Sequence, residues 1–146
     1  MPLPDFNEVG DLPEGVHRAT VDEVAARFGG QSARRHPITE RLLRIHQTAA
    51  ATGKLDRLII FGSYVSNKQS PNDVDIVLVM RDDFELADCD AETGKLFEHG
   101  QAEIEFEASV FWIRPALLVS DTLDEFIAYW QIKRDGARRG IVEVIA

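Results

Sequence analysis

Two blocks of unbroken hydrophobic residues mark the middle of the chain. Leu58-Ile59-Ile60-Phe61 stops at Gly62, and Val74 followed by Ile76-Val77-Leu78-Val79-Met80 is interrupted only by aspartates at its leading end. Neither block alternates with polar residues, which is the pattern of a strand covered on both faces, and the second is expected at the centre of a sheet. Ile141-Val142-Glu143-Val144-Ile145 predicts a final strand. From Glu103 to Ile113 the spacing becomes strict alternation, with Glu103, Glu105, Glu107 and Ser109 on one side and Ile104, Phe106, Ala108, Val110 and Trp112 on the other. That period of two predicts a strand with one wet and one buried face.

Helical spacing fills the intervals. Thr20 and Glu23 stand at the separation of a capping box, in which hydroxyl and carboxylate each satisfy a free backbone N–H, and Gly29-Gly30 is expected to end that short helix. Ile38, Leu42, Ile45 and Ala49 lay one apolar stripe on a helix from about Ile38 to Ala51, with Gly53 as its stop. A weaker helical pattern carrying Gly94 runs from about Asp83 to Phe97. Thr122 and Glu125 offer a second capping box, and Leu123, Phe126, Ile127 and Trp130 form the stripe of a helix expected to reach Asp135-Gly136. The first 19 residues, broken by Pro2, Pro4, Gly10, Pro13 and Gly15, read as an irregular arm. Strands and helices interleave, so the expected fold class is α/β (α+β), a mixed central sheet flanked by helices, in a single domain over residues 1–146.

A length of 146 residues with 45% hydrophobic side chains suits one core. The formal charge of -9 removes any general attraction to phosphate backbones and disfavours a nucleic acid partner. Arg34 with Arg35, Arg41 with Arg44, and Arg134 with Arg138 and Arg139 are the local basic groups, each read as a solvated face. The single cysteine, Cys89, allows no internal disulfide and suits a reducing compartment. The first 30 residues carry six acidic side chains and no long apolar run, so neither a secretory signal nor a membrane span is expected and the chain reads as cytoplasmic.

The residues with chemistry to offer are concentrated in Phe61-Gly62-Ser63, nine further residues, then Asp73-Val74-Asp75-Ile76. Aspartates at i and i+2 of a strand project to one face, roughly 7 Å apart along the backbone, close enough for both carboxylates to meet one hard divalent cation. Magnesium takes one or two carboxylates and completes its shell with phosphate oxygens and water. Gly62 allows the backbone to approach an anion and Ser63 adds a hydroxyl, which makes this the phosphate end. Pro71-Asn72 predicts a turn returning Asp73 beside Gly62. Lys68 either reaches a phosphate from the intervening loop or is a solvated lysine. His17, His36, His46 and His99 show no metal-ligand spacing, and Trp112 and Trp130 read as core rather than stacking residues.

The order apolar-Gly-Ser, a spacer, then Asp-apolar-Asp-apolar resembles the signature of polymerase-beta-type nucleotidyltransferases, matched here from Phe61 to Ile76. The short chain looks like the minimal nucleotidyltransferases of prokaryotic toxin-antitoxin and defence loci. Leu12-Pro13-Glu14-Gly15-Val16-His17, Lys68 before Pro71, and Trp130-Gln131 through Arg134-Asp135-Gly136 to Gly140-Ile141-Val142 extend the resemblance to one small branch over most of the length. It implies the nucleotidyltransferase fold and transfer of a nucleoside monophosphate from an NTP such as ATP, with magnesium or manganese as cofactor. The acceptor would be a protein or other macromolecule, a cognate toxin included, and the acidic charge and absence of a long apolar run argue against a nucleic acid or membrane partner. Carried over, Gly62 and Ser63 contact phosphates, joined by Lys68, while Asp73 and Asp75 bind metal.

The superfamily also uses a third carboxylate on a later strand. Parity allows Glu103, Glu105 or Glu107, with Glu105 and Glu107 the preferred catalytic candidates, whereas likeness around Ala108-Ser109-Val110-Phe111-Trp112 would put Ser109 there. A serine replaces neither a base nor a strong ligand. Two readings therefore stay open: a metal-dependent transferase, and a catalytically degenerate module that binds nucleotide or a partner protein without transfer.

Overall fold

The apolar blocks become the middle of a sheet because their residues have hydrophobic neighbours on both sides. The computed structural model describes residues 3–29, 32–119 and 121–145. Its five strands are β1 (Val16–Thr20), β2 (Leu55–Phe61), β3 (Asp75–Met80), β4 (Ser109–Ile113) and β5 (Ile141–Ile145), in the order β1-β5-β2-β3-β4. β1 runs parallel to β5 and β3 parallel to β4, while β2 is antiparallel to both β3 and β5. This is a mixed α/β architecture.

Helices α1 (Val21–Phe28), α2 (Arg35–Ala51), α3 (Ala91–Leu96), α4 (His99–Glu105) and α5 (Leu123–Tyr129) divide unequally between the two faces. Leu58, Ile60, Ile76, Leu78, Val110 and Val142 meet Val24 and Phe28 of α1 and Ile38, Leu42 and Ile45 of α2 in the larger core. Ile59, Val77, Val79 and Ile141 turn the other way, where Ile127 of α5 covers them with Leu123, Phe126 and Trp130 at the margin. Each fully buried side chain of this size contributes about 1.5–3 kcal/mol.

Both capping boxes form: Thr20 and Thr122 accept from the amides of Glu23 and Glu125, whose carboxylates reach back to the cap amides. Gly29 caps α1, whereas Pro2 and Gly30 lie outside the described residues. α2 begins three residues before the expected Ile38. The Asp83–Phe97 stretch divides into a 3₁₀ turn at Leu86–Asp88 and the short α3.

Three expectations need correction. The opening arm is irregular only as far as Gly15, after which β1 pairs in register with β5, Val16 opposite Ile141. α5 ends at Tyr129 and not near Gly136, since the following residues turn back into the isolated bridge Ile132–Arg138. Glu103 to Ala108 is not strand: Glu103 and Glu105 are in α4, whose start is capped by the Glu98 carboxylate accepting from the amides of Gly100 and Gln101. Ala102 and Phe106, four residues apart, are its buried face, and Ile104 is 82% exposed.

Candidate functional site

The loop from Gly62 to Pro71 sinks Tyr64 and Val65 into the larger core, and a buried arginine fixes its backbone. Arg35, 1% exposed, is not a surface cation as expected but a plug at the start of α2. Its Nη1 donates to the carbonyls of Phe28 (3.0 Å) and Tyr64 (2.7 Å), and its Nη2 to those of Ser66 and Lys68 (both 2.7 Å). No carboxylate pairs with it among the described residues, and burial draws its guanidinium pKa down. Next to it, Arg34 donates from Nε to the Pro71 carbonyl at 3.2 Å and from Nη2 to the Asn72 carbonyl at 3.3 Å. The two arginines thereby hold the loop's two halves.

Where β2 ends and β3 begins, the sheet's register sets Phe61, Asp75 and Ser109 side by side. Gly62 has φ 84, a left-handed conformation that side chains avoid, and a Cβ built there would overlap the Asp75 carboxylate. Glycine is required on both counts. The carboxylates of Asp73 and Asp75 line a cavity of about 760 Å³ together with Gly62, Ser63, Lys68 and Ser109. Burial first, and then the Asp73 charge, push the Asp75 carboxyl up to about 6; Ser109, Arg139 and Arg134 pull it the other way. The Ser109 hydroxyl also makes a long contact of 3.4 Å to Asp73 Oδ2. Neither aspartate is in an ion pair with a lysine or arginine among the described residues.

The opposite wall is basic. Lys133, Arg134 and Arg139 come from the turn after α5. Buried Asp11 accepts from Lys133 Nζ at 2.9 Å and Arg139 Nη1 at 3.4 Å, tying that turn to the N-terminal arm. The same arm holds the glycine loop through the bridge Asp11–Ser66 and a hydrogen bond donated by the Asn67 backbone N–H to the Gly10 carbonyl at 2.9 Å.

Of the residues expected to act, Gly62, Ser63, Lys68, Asp73 and Asp75 are brought together. Glu105 and Glu107 are not: neither lines the cavity, because α4 carries Glu105, and the turn after it carries Glu107, toward the cations of α2 and α3. Glu105 meets Arg44 Nη2 at 3.3 Å and Lys95 Nζ at 4.0 Å, and Glu107 meets Arg41 Nε at 3.3 Å. Opposite Asp75 stands Ser109. Phe61, His99, Phe111 and Trp130 also line the cavity; for these the sequence held a signal only in Phe111, two residues beyond Ser109 on one strand face. Trp112 is core, as expected, donating its indole N–H to the Phe97 carbonyl at 2.8 Å.

Two carboxylates and a hydroxyl fit a hard divalent cation in kind, and a phosphate chain with water would supply the remaining oxygens of its shell. Among the described residues no group of three or more histidine, cysteine or acidic side chains is arranged to hold a metal by itself.

Fold and site together define a mixed α/β protein with an acidic pair at the open end of its sheet, facing a basic wall. The chain belongs to a family of unknown function, DUF6932, which matches residues 4–145. No curated protein and no solved structure matches it. Among the described residues no helix is long and apolar enough to cross a membrane.

Proposed function

We propose that this protein has the nucleotidyltransferase fold and transfers a nucleoside monophosphate from an NTP, with magnesium or manganese, to a hydroxyl of a protein acceptor, a cognate toxin among the candidates. The observation that carries the proposal is the aspartate pair: Asp75 stands against Gly62 with Asp73 beside it in the same cavity, neither is ion-paired to a lysine or arginine among the described residues, and burial and mutual repulsion push Asp75 up to about 6. Mutual repulsion of this kind is what a bound cation relieves.

A divalent cation bound there supplies neutralisation of phosphate charge and a fixed geometry for the phosphate oxygens. Gly62 offers close backbone approach and Ser63 a hydroxyl donor to the phosphates, while Lys68 and Arg134 face the same space with positive charge. In the transfer, the acceptor oxygen bonds to the α-phosphorus, the bond to the bridging oxygen breaks, and pyrophosphate leaves. The acceptor's proton would pass to the Asp73 or Asp75 carboxylate.

A second reading, binding without transfer, is favoured by Ser109. Its position opposite Asp75 supplies no carboxylate, and Glu105 and Glu107 are spent on arginines elsewhere. Incubation with α-labelled NTPs, magnesium and cell extract separates the two. Label transferred to a macromolecule, and abolished in Asp75→Asn, supports the transferase; NTP binding with no transfer supports the module; neither binding nor transfer removes both.

A further inference from the structure

The cavity has a wall that neither cation nor phosphate explains. Phe61 at the end of β2, Phe111 on β4 and Trp130 after α5 form a continuous aromatic surface, with ring centroids 4.6 Å apart for Phe61 and Trp130 and 5.2 Å for Phe111 and Trp130. His99 stacks on Phe111 at 4.8 Å with an interplanar angle of 28°. Phe111 is 38% exposed, whereas Val110 before it is buried and Trp112 after it is half-buried. Three aromatic rings opening onto an otherwise charged cavity call for a ligand with a flat apolar part.

The position of the wall relates it to the aspartates. Phe61 is the register partner of Asp75, and Phe111 follows Ser109 by two residues on the same sheet face, roughly 7 Å along the strand. A sugar ring spans such a gap. A phosphate chain held at Gly62 and Ser63, with a cation between it and Asp73 and Asp75, would therefore carry its base to Phe111 and Trp130.

The wall's hydrogen-bonding groups are either used or buried. His99 has Nδ1 against the Val110 carbonyl at 3.1 Å and Nε2 against the Glu103 carboxylate at 3.0 Å. Phe61 and Phe111 have none to give, and the Trp130 indole nitrogen is buried, with no partner among the described residues. A ring bound here is held by its π face, and stacking grows with ring area and tolerates any base edge.

We propose that Phe111 and Trp130 form a base-stacking surface that makes the site prefer purine over pyrimidine nucleoside triphosphates, with little distinction between ATP and GTP. This rests on the phosphate and cation reading of Asp73 and Asp75, and its test keeps the two apart. Calorimetric titration in magnesium with inorganic tripolyphosphate, ATP, GTP, CTP and UTP is expected to give binding of all five. ATP and GTP should bind similarly, and roughly tenfold more tightly than CTP and UTP. Phe111→Ala should lower ATP affinity by about the same factor and leave tripolyphosphate unchanged. Because Phe111 also packs at the sheet's edge, Phe111→Leu, which keeps apolar volume, is run beside it and should lose the purine preference too.

In a Trp112→Phe background the remaining indole, Trp130, should change its fluorescence with ATP and not with tripolyphosphate. Equal affinity for purines and pyrimidines, or ATP binding no tighter than tripolyphosphate, overturns the stacking surface while the phosphate reading stands. No binding of tripolyphosphate or of any nucleotide overturns both.

Discussion

At the scale of single residues, Asp75 is the group whose chemistry the fold has most altered. Its carboxyl ordinarily titrates near 3.8 and is held up to about 6 here, chiefly by burial. The folded chain therefore binds more protons than the unfolded chain between these values, and stability falls as pH rises from about 4 to 6. Above pH 6 the ionised carboxylate costs about 1–2 kcal/mol once solvent screening is allowed for. Asp75→Asn is expected to raise the urea midpoint of the cation-free protein at pH 8 and to leave it unchanged below pH 4. A variant less stable than the parent at pH 8 would mean that the charged carboxylate is satisfied by bonds. Gly62 belongs to the same local problem, since its positive φ and the carboxylate against its Cα leave no room for a side chain.

Among elements, the anchoring of the β2–β3 loop by α2 decides the site's shape. Arg35→Met strands four backbone carbonyls that now accept from the guanidinium, at an expected cost of about 3 kcal/mol in urea unfolding. Arg35→Lys should recover only part of it, because one ammonium cannot reach the whole fan of acceptors. This clamp was illegible in the sequence: Arg34 and Arg35 are adjacent, and nothing in composition tells a buried arginine from a solvated one. The strands of continuous apolar residues and both capping boxes were legible, since each is decided by neighbours a few residues away. The Glu103–Glu107 segment misled for the opposite reason. Its alternation is real, but the Glu98 cap and the Ala102–Phe106 spacing outweigh it, and Glu107, at φ 52, turns the chain into β4 only at Ser109. The acidic pair and the glycine loop, adjacent in the sequence pattern, line one cavity. The aromatic wall was missed, because it assembles from β2, β4 and the end of α5.

For the molecule as a whole, the N-terminal arm is a strap across both walls of the cavity. Asp11 joins the loop after β2 to the basic turn before β5, through Ser66 on one side and Lys133 and Arg139 on the other. Asp11→Asn should cost about 2 kcal/mol, less than a fully buried pair because both cations retain some solvent. Thermal unfolding at low and high salt checks it, the loss shrinking as screening rises. The sheet order has a further consequence. β5 is inserted between β1 and β2, so the earliest strand in the sequence has no partner until the latest one arrives. A growing polypeptide would keep two raw sheet edges open through most of its synthesis, and refolding from denaturant should be slow, concentration-sensitive and helped by chaperones that shield strands.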